Sequence, residues 1–213
     1  MRIAIFSAIL QSCNSAMLKV ALTGGIATGK SYVLGRFRAR GVPCLDADDL
    51  AHGVTAAGTE ATQAIASRFG EEMLDKAGAV DRRKLGVLVF ADAAARRELE
   101  AIVHPAVYRA ITAGLRAFVL LGSSRLAVVD VPLLYESGHA ADFDRVLATL
   151  CPAATQIARL TERGLSDEEA RQRLAAQMPA DEKAARADIV ISTGGTFDET
   201  DRQVEAALRN LRI

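Results

Sequence analysis

Residues 24–31 read GGIATGKS and satisfy the pattern G-x-x-x-x-G-K-[ST]. The apolar run LKVALT (residues 18–23) precedes this stretch and a helical pattern follows it, so we expect a strand, a glycine-rich turn and a helix. In such a turn, backbone N–H groups and the helix N-terminus form a cradle for a di- or triphosphate. Lys30 is expected to contact the β- and γ-phosphates, and the Ser31 hydroxyl to bind a Mg²⁺ ion that bridges them. The sequence therefore predicts a nucleoside triphosphate site.

Composition places this site in one α/β core rather than in a string of modules. The chain has 213 residues, half of them hydrophobic, and its 26 acidic and 26 basic residues balance, which argues against disorder and against a nucleic-acid coat. No apolar run reaches the roughly 18 residues of a membrane-spanning helix. The three cysteines are scattered without a CxxC pair, so neither a disulfide framework nor a zinc site is indicated. We expect a cytoplasmic protein without nucleic-acid or membrane partners, and the oligomeric state stays open.

Short apolar runs bounded by turn signals predict a mainly parallel sheet with helices between its strands. The predicted strands cover residues 18–23, 42–46, 126–131, 145–150 and 188–192. A nucleotide-binding core is therefore assigned to residues 17–51, 123–150 and 188–213. Residues 1–16 are interpreted as an extension with no structural role, because the first strand pattern starts after them.

Two long intervals between predicted strands have helical patterns instead. Residues 52–122 are expected to form a helical lobe, in which Pro105 ends or kinks a helix near His104. Residues 151–187 form a second, arginine-rich helical stretch, and a capping box that begins at Ser166 is expected to start a new helix there.

Acidic residues follow two of the predicted strands. Asp46, Asp48 and Asp49 lie at the end of the second strand, and Asp130 ends the third, as a metal-binding carboxylate of a phosphate-transfer site does. Ligands of an open parallel sheet collect beyond the carboxyl ends of its strands, so these side chains are expected to face the phosphate site. There a carboxylate can hold Mg²⁺ or accept a proton from an attacking hydroxyl. Helix capping and ordinary surface acids are the alternatives for Asp46, Asp48 and Asp49. For Asp130 the alternative is a strand-end aspartate that caps the next turn.

The phosphate-binding motif by itself does not separate a kinase from a GTPase or a mechanical ATPase. No Asn-Lys-x-Asp sequence, which reads guanine, occurs in the chain, and 213 residues leave little room for motor accessory domains. Small-molecule phosphoryl transfer is therefore the favoured function. A kinase for another acceptor and a non-catalytic nucleotide-sensing module remain the alternatives.

Several short motifs occur in series and resemble those of dephospho-CoA kinases. They are ALTGGIATGKS (residues 21–31), LDADDLAH (45–52), a His-Pro pair at 104–105, VDVPLLYESG (129–138), and RLAAQM followed by ADIVISTGG (173–178 and 187–195). The resemblance runs from about Leu18 to the C-terminus. It implies a P-loop NTPase core with a parallel five-stranded sheet flanked by helices, a helical CoA-binding insertion (52–122) and a helical lid (151–187). It also implies ATP-dependent phosphorylation of the ribose 3′-hydroxyl of dephospho-CoA, the last step of CoA synthesis, with Mg²⁺.

The resemblance also implies roles for particular residues. Asp48 corresponds to the general base, and the catalytic set is Asp48, Lys30 and the lid arginine Arg159. Acceptor binding is expected at Asp48, His104 and Pro132, and metal binding at Ser31 and Asp130. The ATP-binding set is Gly25, Ile26, Ala27, Thr28, Gly29, Lys30, Ser31, Tyr32 and Gly195.

Two positions depart from the family pattern. Ala27 stands where a third loop glycine is common, and its methyl group would crowd the cradle if φ has to be positive there. Tyr32 stands where a small hydroxyl residue is usual. Neither residue supplies the chemistry expected of Lys30 or Ser31, so we expect altered nucleotide affinity rather than loss of function.

Overall fold

The computed structural model describes residues 17–122 and 124–211. The predicted extension, residues 1–16, lies outside them. Contacts group the chain into two compact units, one from Leu45 to Ala117 and one formed by the residues before and after it. The sequence predicts a helical lobe over residues 52–122. The compact unit in the structure begins seven residues earlier than that lobe, at Leu45.

Outside the unit from Leu45 to Ala117, strands and helices alternate along the chain, as the sequence predicts. The strands are β1 (Leu18–Gly24), β2 (Cys44–Asp46), β3 (Leu126–Asp130), β4 (Arg145–Leu150) and β5 (Ile189–Ser192). The helices are α1 (Lys30–Ala39), α2 (Ala47–Val54), α3 (Glu60–Phe69), α4 (Arg82–Ala91), α5 (Ala93–Leu120), α6 (Ala153–Glu162), α7 (Asp167–Ala175), α8 (Ala180–Ala185) and α9 (Phe197–Asn210). Single 3₁₀ turns cover Glu71–Met73 and Ala140–Asp142.

The five strands form one sheet in the order β2-β3-β1-β4-β5, so β1 is central. Strand β1 pairs in parallel with both β3 and β4, and β4 with β5. All five residues of β3 are buried, because helices cover both faces of a parallel sheet. The register places Leu22 of β1 opposite Asp130 of β3. The carboxyl end of β3 therefore lies beside the point where the glycine-rich turn begins.

Helices α1 and α9 cover the sheet with apolar side chains. Val33, Leu34 and Phe37 of α1 and Val204 of α9 are buried together with Leu22 in one cluster. Burial of each large aliphatic or aromatic side chain contributes about 1.5–3 kcal/mol, so this cluster holds the turn between β1 and α1 in place. The helices between β4 and β5 include the predicted capping box, in which Ser166 and Glu169 bond each other's backbone N–H groups. That prediction is confirmed.

The unit from Leu45 to Ala117 is helical. Its core contains Ile65, Val80 and Leu85, with Leu99 and Ile102 of α5 packed against them. Among its residues the structure has a single isolated bridge, between Leu74 and Val80, and no strand beyond β2. Within the described ranges 17–122 and 124–211, no helix has the length and apolar character needed to span a membrane.

The sequence predicts that Pro105 ends or kinks a helix near His104, and an end at that position is wrong. Helix α5 continues through Pro105 to Leu120. A proline in a helix interior removes one intrahelical hydrogen bond and clashes with the preceding turn. Packing of apolar side chains on both sides of it outweighs that cost: Ile102 before it is partly buried and Ile111 after it is buried.

Candidate active site

The phosphate-binding turn connects β1 to α1 in a tightly constrained path. Gly24 has φ 150°, and a β-carbon there would lie 2.3 Å from the Thr149 hydroxyl oxygen, so only glycine fits. Helix α1 is preceded by Gly29 at φ 84°, which has no side chain to cap it. The first N–H groups of α1 can therefore bind an anion instead of a capping side chain.

Ala27 is the one described non-glycine residue with positive φ, at 58°. The left-handed conformation costs an alanine about 1–2 kcal/mol. Ala27 as a whole is 93% buried, and it packs with Leu160 of α6 and Ala170 of α7. From the sequence we expect the methyl group of Ala27 to crowd the cradle if φ is positive, and φ is positive in the structure. The methyl group has a packing partner on these helices, which offsets part of the strain.

Three buried threonines hold the turn rigid. The Thr28 hydroxyl donates to the Gly25 carbonyl oxygen at 2.8 Å and lies 2.6 Å from the Thr149 hydroxyl. The Thr193 hydroxyl, on the turn after β5, donates to the Thr28 carbonyl oxygen at 2.7 Å. The turn is thus held by β4 and by the segment after β5.

Lys30 lies over the turn that it follows. Its Nζ atom is 3.4 Å from the carbonyl oxygens of both Gly24 and Gly25. Contacts of this length are weak. The role that the motif predicts for Lys30, binding of phosphate, stays a prediction.

Two polar side chains of α6 contact the carbonyl oxygens of the turn. The Gln156 amide donates to Ile26 at 2.6 Å, and the Arg159 guanidinium donates to Ala27 at 3.1 Å. Arg159 also donates to the Thr193 carbonyl oxygen at 2.6 Å. The sequence singled out Arg159 but missed Gln156, which is 95% buried. Its position three residues before Arg159, on the same helix face, is the signal that could have identified it.

A cavity of about 420 Å³ lies beside the turn. Gly25 and Ile26 form one side of it, and Gln156, Met178 and Ala180 are among the residues on the others. The helical stretch between β4 and β5 therefore approaches the phosphate-binding turn without filling the space next to it.

Asp130 and Ser31 offer oxygen ligands at this end of the sheet. Asp130 is 4% exposed at the end of β3, and Ser31 is exposed in the first turn of α1. Among residues 17–122 and 124–211, no three or more His, Cys, Asp and Glu side chains form a group that could hold a metal ion by themselves. Mg²⁺ does not need such a cage, since it takes one or two protein oxygens and completes its shell with phosphates and water. The residues present fit this ion.

Helix α9 contacts Tyr32 and begins directly after the turn that follows β5. The Tyr32 hydroxyl donates to Asp201 at 2.9 Å, and its ring centroid lies 4.7 Å from that of Phe197, which is 70% exposed. Gly195 precedes the Thr196 cap of α9, and a β-carbon at Gly195 would lie 2.1 Å from a carboxylate oxygen of Glu199. A side chain at position 195 would therefore disturb the capping box of α9.

Pro132 lies just beyond β3, in the same unit as the phosphate-binding turn. Its carbonyl oxygen accepts hydrogen bonds from the Thr23 hydroxyl at 3.3 Å and from the Lys183 ammonium at 2.6 Å. Lys183, in α8, is completely buried. Sequence reasoning missed this lysine because a charged residue in a short polar helix is usually exposed.

The remaining predicted residues belong to the unit from Leu45 to Ala117. Asp46 is the N-cap of α2, and its carboxylate accepts from the N–H groups of Asp48 and Asp49 at 2.9 and 3.3 Å. Capping thus accounts for Asp46. The Asp48 and Asp49 side chains are exposed in the first turn of α2, and His104 is half-buried within α5.

The class of the fold follows from a parallel sheet, a glycine-rich turn after its central strand and a lysine over that turn, which together define a P-loop nucleotide-binding core. The family model for dephospho-CoA kinase matches residues 18–199. The dephospho-CoA kinase of Geobacillus kaustophilus is 45% identical over 193 residues, covering 90% of this chain and 96% of that protein. That of Anaeromyxobacter dehalogenans is 47% identical, covering 92% and 93%. The crystal structure of TT1252 from Thermus thermophilus has a TM-score of 0.79 at 33% identity and covers 93% and 100%. The chain therefore belongs to the dephospho-CoA kinase family, whose members catalyse the final step of coenzyme A biosynthesis.

Proposed function

We propose that this protein transfers the γ-phosphoryl group of ATP to the ribose 3′-hydroxyl of dephospho-CoA, giving CoA and ADP. The observation that carries the proposal is the family match over residues 18–199, which includes the phosphate-binding turn and the whole unit from Leu45 to Ala117. The chain also covers 96% of the length of a relative with this name.

The phosphate-binding turn binds the donor. Its backbone N–H groups and the N-terminus of α1 hold the phosphates, and Lys30 neutralises charge on the β- and γ-phosphates. Arg159 contacts the carbonyl oxygen of Ala27 within the turn, so its guanidinium is close enough to the loop to stabilise charge on the transferring group. Residues from Gly25 to Tyr32, with Gly195 on the turn after β5, contact ATP in this proposal.

The acceptor hydroxyl loses its proton to Asp48. The 3′-oxygen then forms a bond to the γ-phosphorus while the bond from that phosphorus to the β–γ bridging oxygen breaks, and ADP leaves with the electron pair. Asp48 is exposed, as a base that has to meet a substrate hydroxyl must be. His104 and Pro132 are assigned to binding of dephospho-CoA rather than to chemistry.

Ser31 and Asp130 would hold Mg²⁺. The ion, when bound, neutralises charge on the phosphate oxygens and orients the triphosphate for in-line attack. The residues of the protein bind the nucleotide, orient the acceptor and accept its proton.

We also propose that the enzyme works in the cytoplasm. The two cysteines within the described residues, Cys44 and Cys151, are free thiols. Free thiols of this kind fit a reducing compartment.

An acceptor screen tests the activity. The full-length protein is incubated with Mg-ATP and dephospho-CoA, and in parallel with nucleoside monophosphates and small metabolite alcohols, with Lys30→Met as the inactive control. We expect phosphate on dephospho-CoA alone, and tandem mass spectrometry should locate it on the 3′-oxygen. Phosphate on another acceptor only would displace the proposal, and binding of ATP without any transfer would favour a nucleotide-sensing module.

A further inference from the structure

The most deeply buried charge in the described structure lies outside the predicted site. Lys183 in helix α8 has an exposure of 0%, and its ammonium donates to the Pro132 carbonyl oxygen at 2.6 Å and lies 2.8 Å from Glu136 Oε1. A buried ammonium is costly unless it is paired and hydrogen-bonded. Both partners of Lys183 come from the segment just after β3, residues 131–138.

The same two partners contact other parts of the unit. Glu136 Oε1 also accepts from the backbone N–H of Met178 at 3.1 Å, and Met178 lies in the linker between α7 and α8. The Pro132 carbonyl oxygen also accepts from Thr23 at the end of β1. Lys183 is therefore the centre of a polar cluster, defined as Thr23, Pro132, Glu136, Met178 and Lys183.

This polar cluster connects segments that line the site. Met178 and Ala180 form part of the wall of the cavity beside Gly25 and Ile26. A β-carbon at Gly25 would lie 3.2 Å from the Ala180 methyl group, so the start of α8 and the phosphate-binding turn are in close contact. A shift of α8 relative to residues 131–138 would change this wall and the position of Pro132 together.

We propose that Lys183 is a positioning residue for the acceptor. It fixes the Pro132 carbonyl and the Glu136 carboxylate, and so holds residues 131–138 and the linker at Met178 in the arrangement that binds dephospho-CoA. The proposal rests on the proposed function only in naming the acceptor. Stability alone does not require an ion pair at this place, because an apolar pair of similar size is equally stable in many proteins. An apolar side chain cannot donate a hydrogen bond to the Pro132 carbonyl oxygen, however, so within such a pair only the lysine can position that group.

Three variants test the role of Lys183. Lys183→Met removes both bonds and leaves Glu136 unpaired, Glu136→Gln keeps one acceptor oxygen, and Lys183→Met combined with Glu136→Leu replaces the pair by apolar side chains. Glu182→Gln is the matched control, because it removes an ion pair with Arg186 on the exposed side of the same helix. Steady-state kinetics for dephospho-CoA, the dissociation constant of a fluorescent ATP analogue and the melting temperature are measured for each.

Lys183→Met is expected to lower kcat/KM for dephospho-CoA about 100-fold, the loss that a misplacement of about 1 Å causes, with nucleotide affinity nearly unchanged. Glu136→Gln is expected to lose about tenfold, since a neutral acceptor makes a weaker bond than a charged one. The double variant should recover the melting temperature of the wild type but not its kcat/KM. Glu182→Gln should match the wild type throughout.

Two results would overturn the proposal. One is a double variant that regains kcat/KM together with its melting temperature, because the pair would then serve stability alone. The other is a loss of nucleotide affinity as large as the loss in acceptor kinetics. If Lys183→Met does not fold, Glu136→Gln and the double variant still decide the question. A wild-type protein inactive on dephospho-CoA would refute the proposed function separately, and the variant-to-wild-type ratios would then be measured on the acceptor found in the screen.

Discussion

Arg159 donates a hydrogen bond of 2.6 Å to the carbonyl oxygen of Thr193, 34 residues further along the chain. A second bond, of 3.1 Å, connects it to Ala27 in the phosphate-binding turn. One guanidinium thus joins the turn after β1 to the turn after β5. The first of these turns precedes β4 in the chain and the second follows it. A guanidinium carries five N–H donors, so these two bonds do not exhaust its capacity to bind a phosphate oxygen.

Substitutions of Arg159 test whether catalysis needs the guanidinium group itself or only a positive charge at this position. We expect Arg159→Met to lower kcat about 1,000-fold, the lower end of the contribution of an arginine in P-loop enzymes. Arg159→Lys should recover little, because an ammonium cannot span two carbonyl oxygens with a planar fork. Arg163→Met, at the exposed C-cap of the same helix, is the control and should keep wild-type rates. Rates of Arg159→Met within tenfold of the wild type would remove Arg159 from the catalytic set.

Asp48→Asn tests the proposed general base. The amide cannot accept the proton, so we expect kcat to fall about 100- to 10,000-fold. Nucleotide affinity, measured by titration with a fluorescent ATP analogue, should stay close to the wild-type value. Glu60→Gln, a substitution of a 91% exposed carboxylate in the same unit, serves as the control. If Asp49→Asn loses activity while Asp48→Asn keeps it, the base is the neighbouring residue.

Ala27→Val should weaken nucleotide binding and the fold together. A β-branched residue at φ 58° is strained by about 1–3 kcal/mol, and the position is buried against Leu160 and Ala170. We expect a lower midpoint in urea unfolding and weaker binding of ATP. Ala27→Gly is the matched variant, since glycine adopts this conformation freely, and it should bind ATP at least as tightly as the wild type. Equal ATP affinity in the valine variant would show that the turn tolerates the strain.

Alkaline pH should destabilise the protein through Cys44. Burial raises the pKa of the Cys44 thiol from 9.0 to about 11, and the nearby Arg38 opposes the shift only in part. Below pH 9 the thiol is neutral in the folded and unfolded states, so its stabilising contribution is fully present. Between pH 9 and about 11 the unfolded thiol ionises first, so the free energy of unfolding falls with rising pH until the contribution is lost.

Urea unfolding at pH 8 and pH 10.5 measures this effect against Cys44→Ala. We expect the wild type to lose more stability than the variant between the two pH values. The comparison with the variant is needed because burial also raises the pKa of Tyr135 and of Cys151, which act in the same direction. An equal loss in both proteins would assign the alkaline sensitivity to those other groups.

Local features of the structure could be predicted because their causes lie within a few residues. The turn between β1 and α1 depends on glycines and a lysine at set spacing, and the capping box at Ser166 needs a partner only three residues away. Five apolar runs and the intervals between them were enough to predict a parallel sheet. The helix end at Pro105 was predicted wrongly because a local rule about proline competes with packing along the whole of α5.

The amino-acid sequence by itself therefore determined the sheet, the phosphate-binding turn and the family. The tertiary structure decided that Arg159 joins Ala27 to Thr193, that Gln156 bonds Ile26, and that Lys183 is buried against Pro132. Each of these contacts joins residues from different elements, separated by 34 to 132 positions in the chain. Their existence depends on how helices pack on the sheet, which no spacing of residues along one segment encodes.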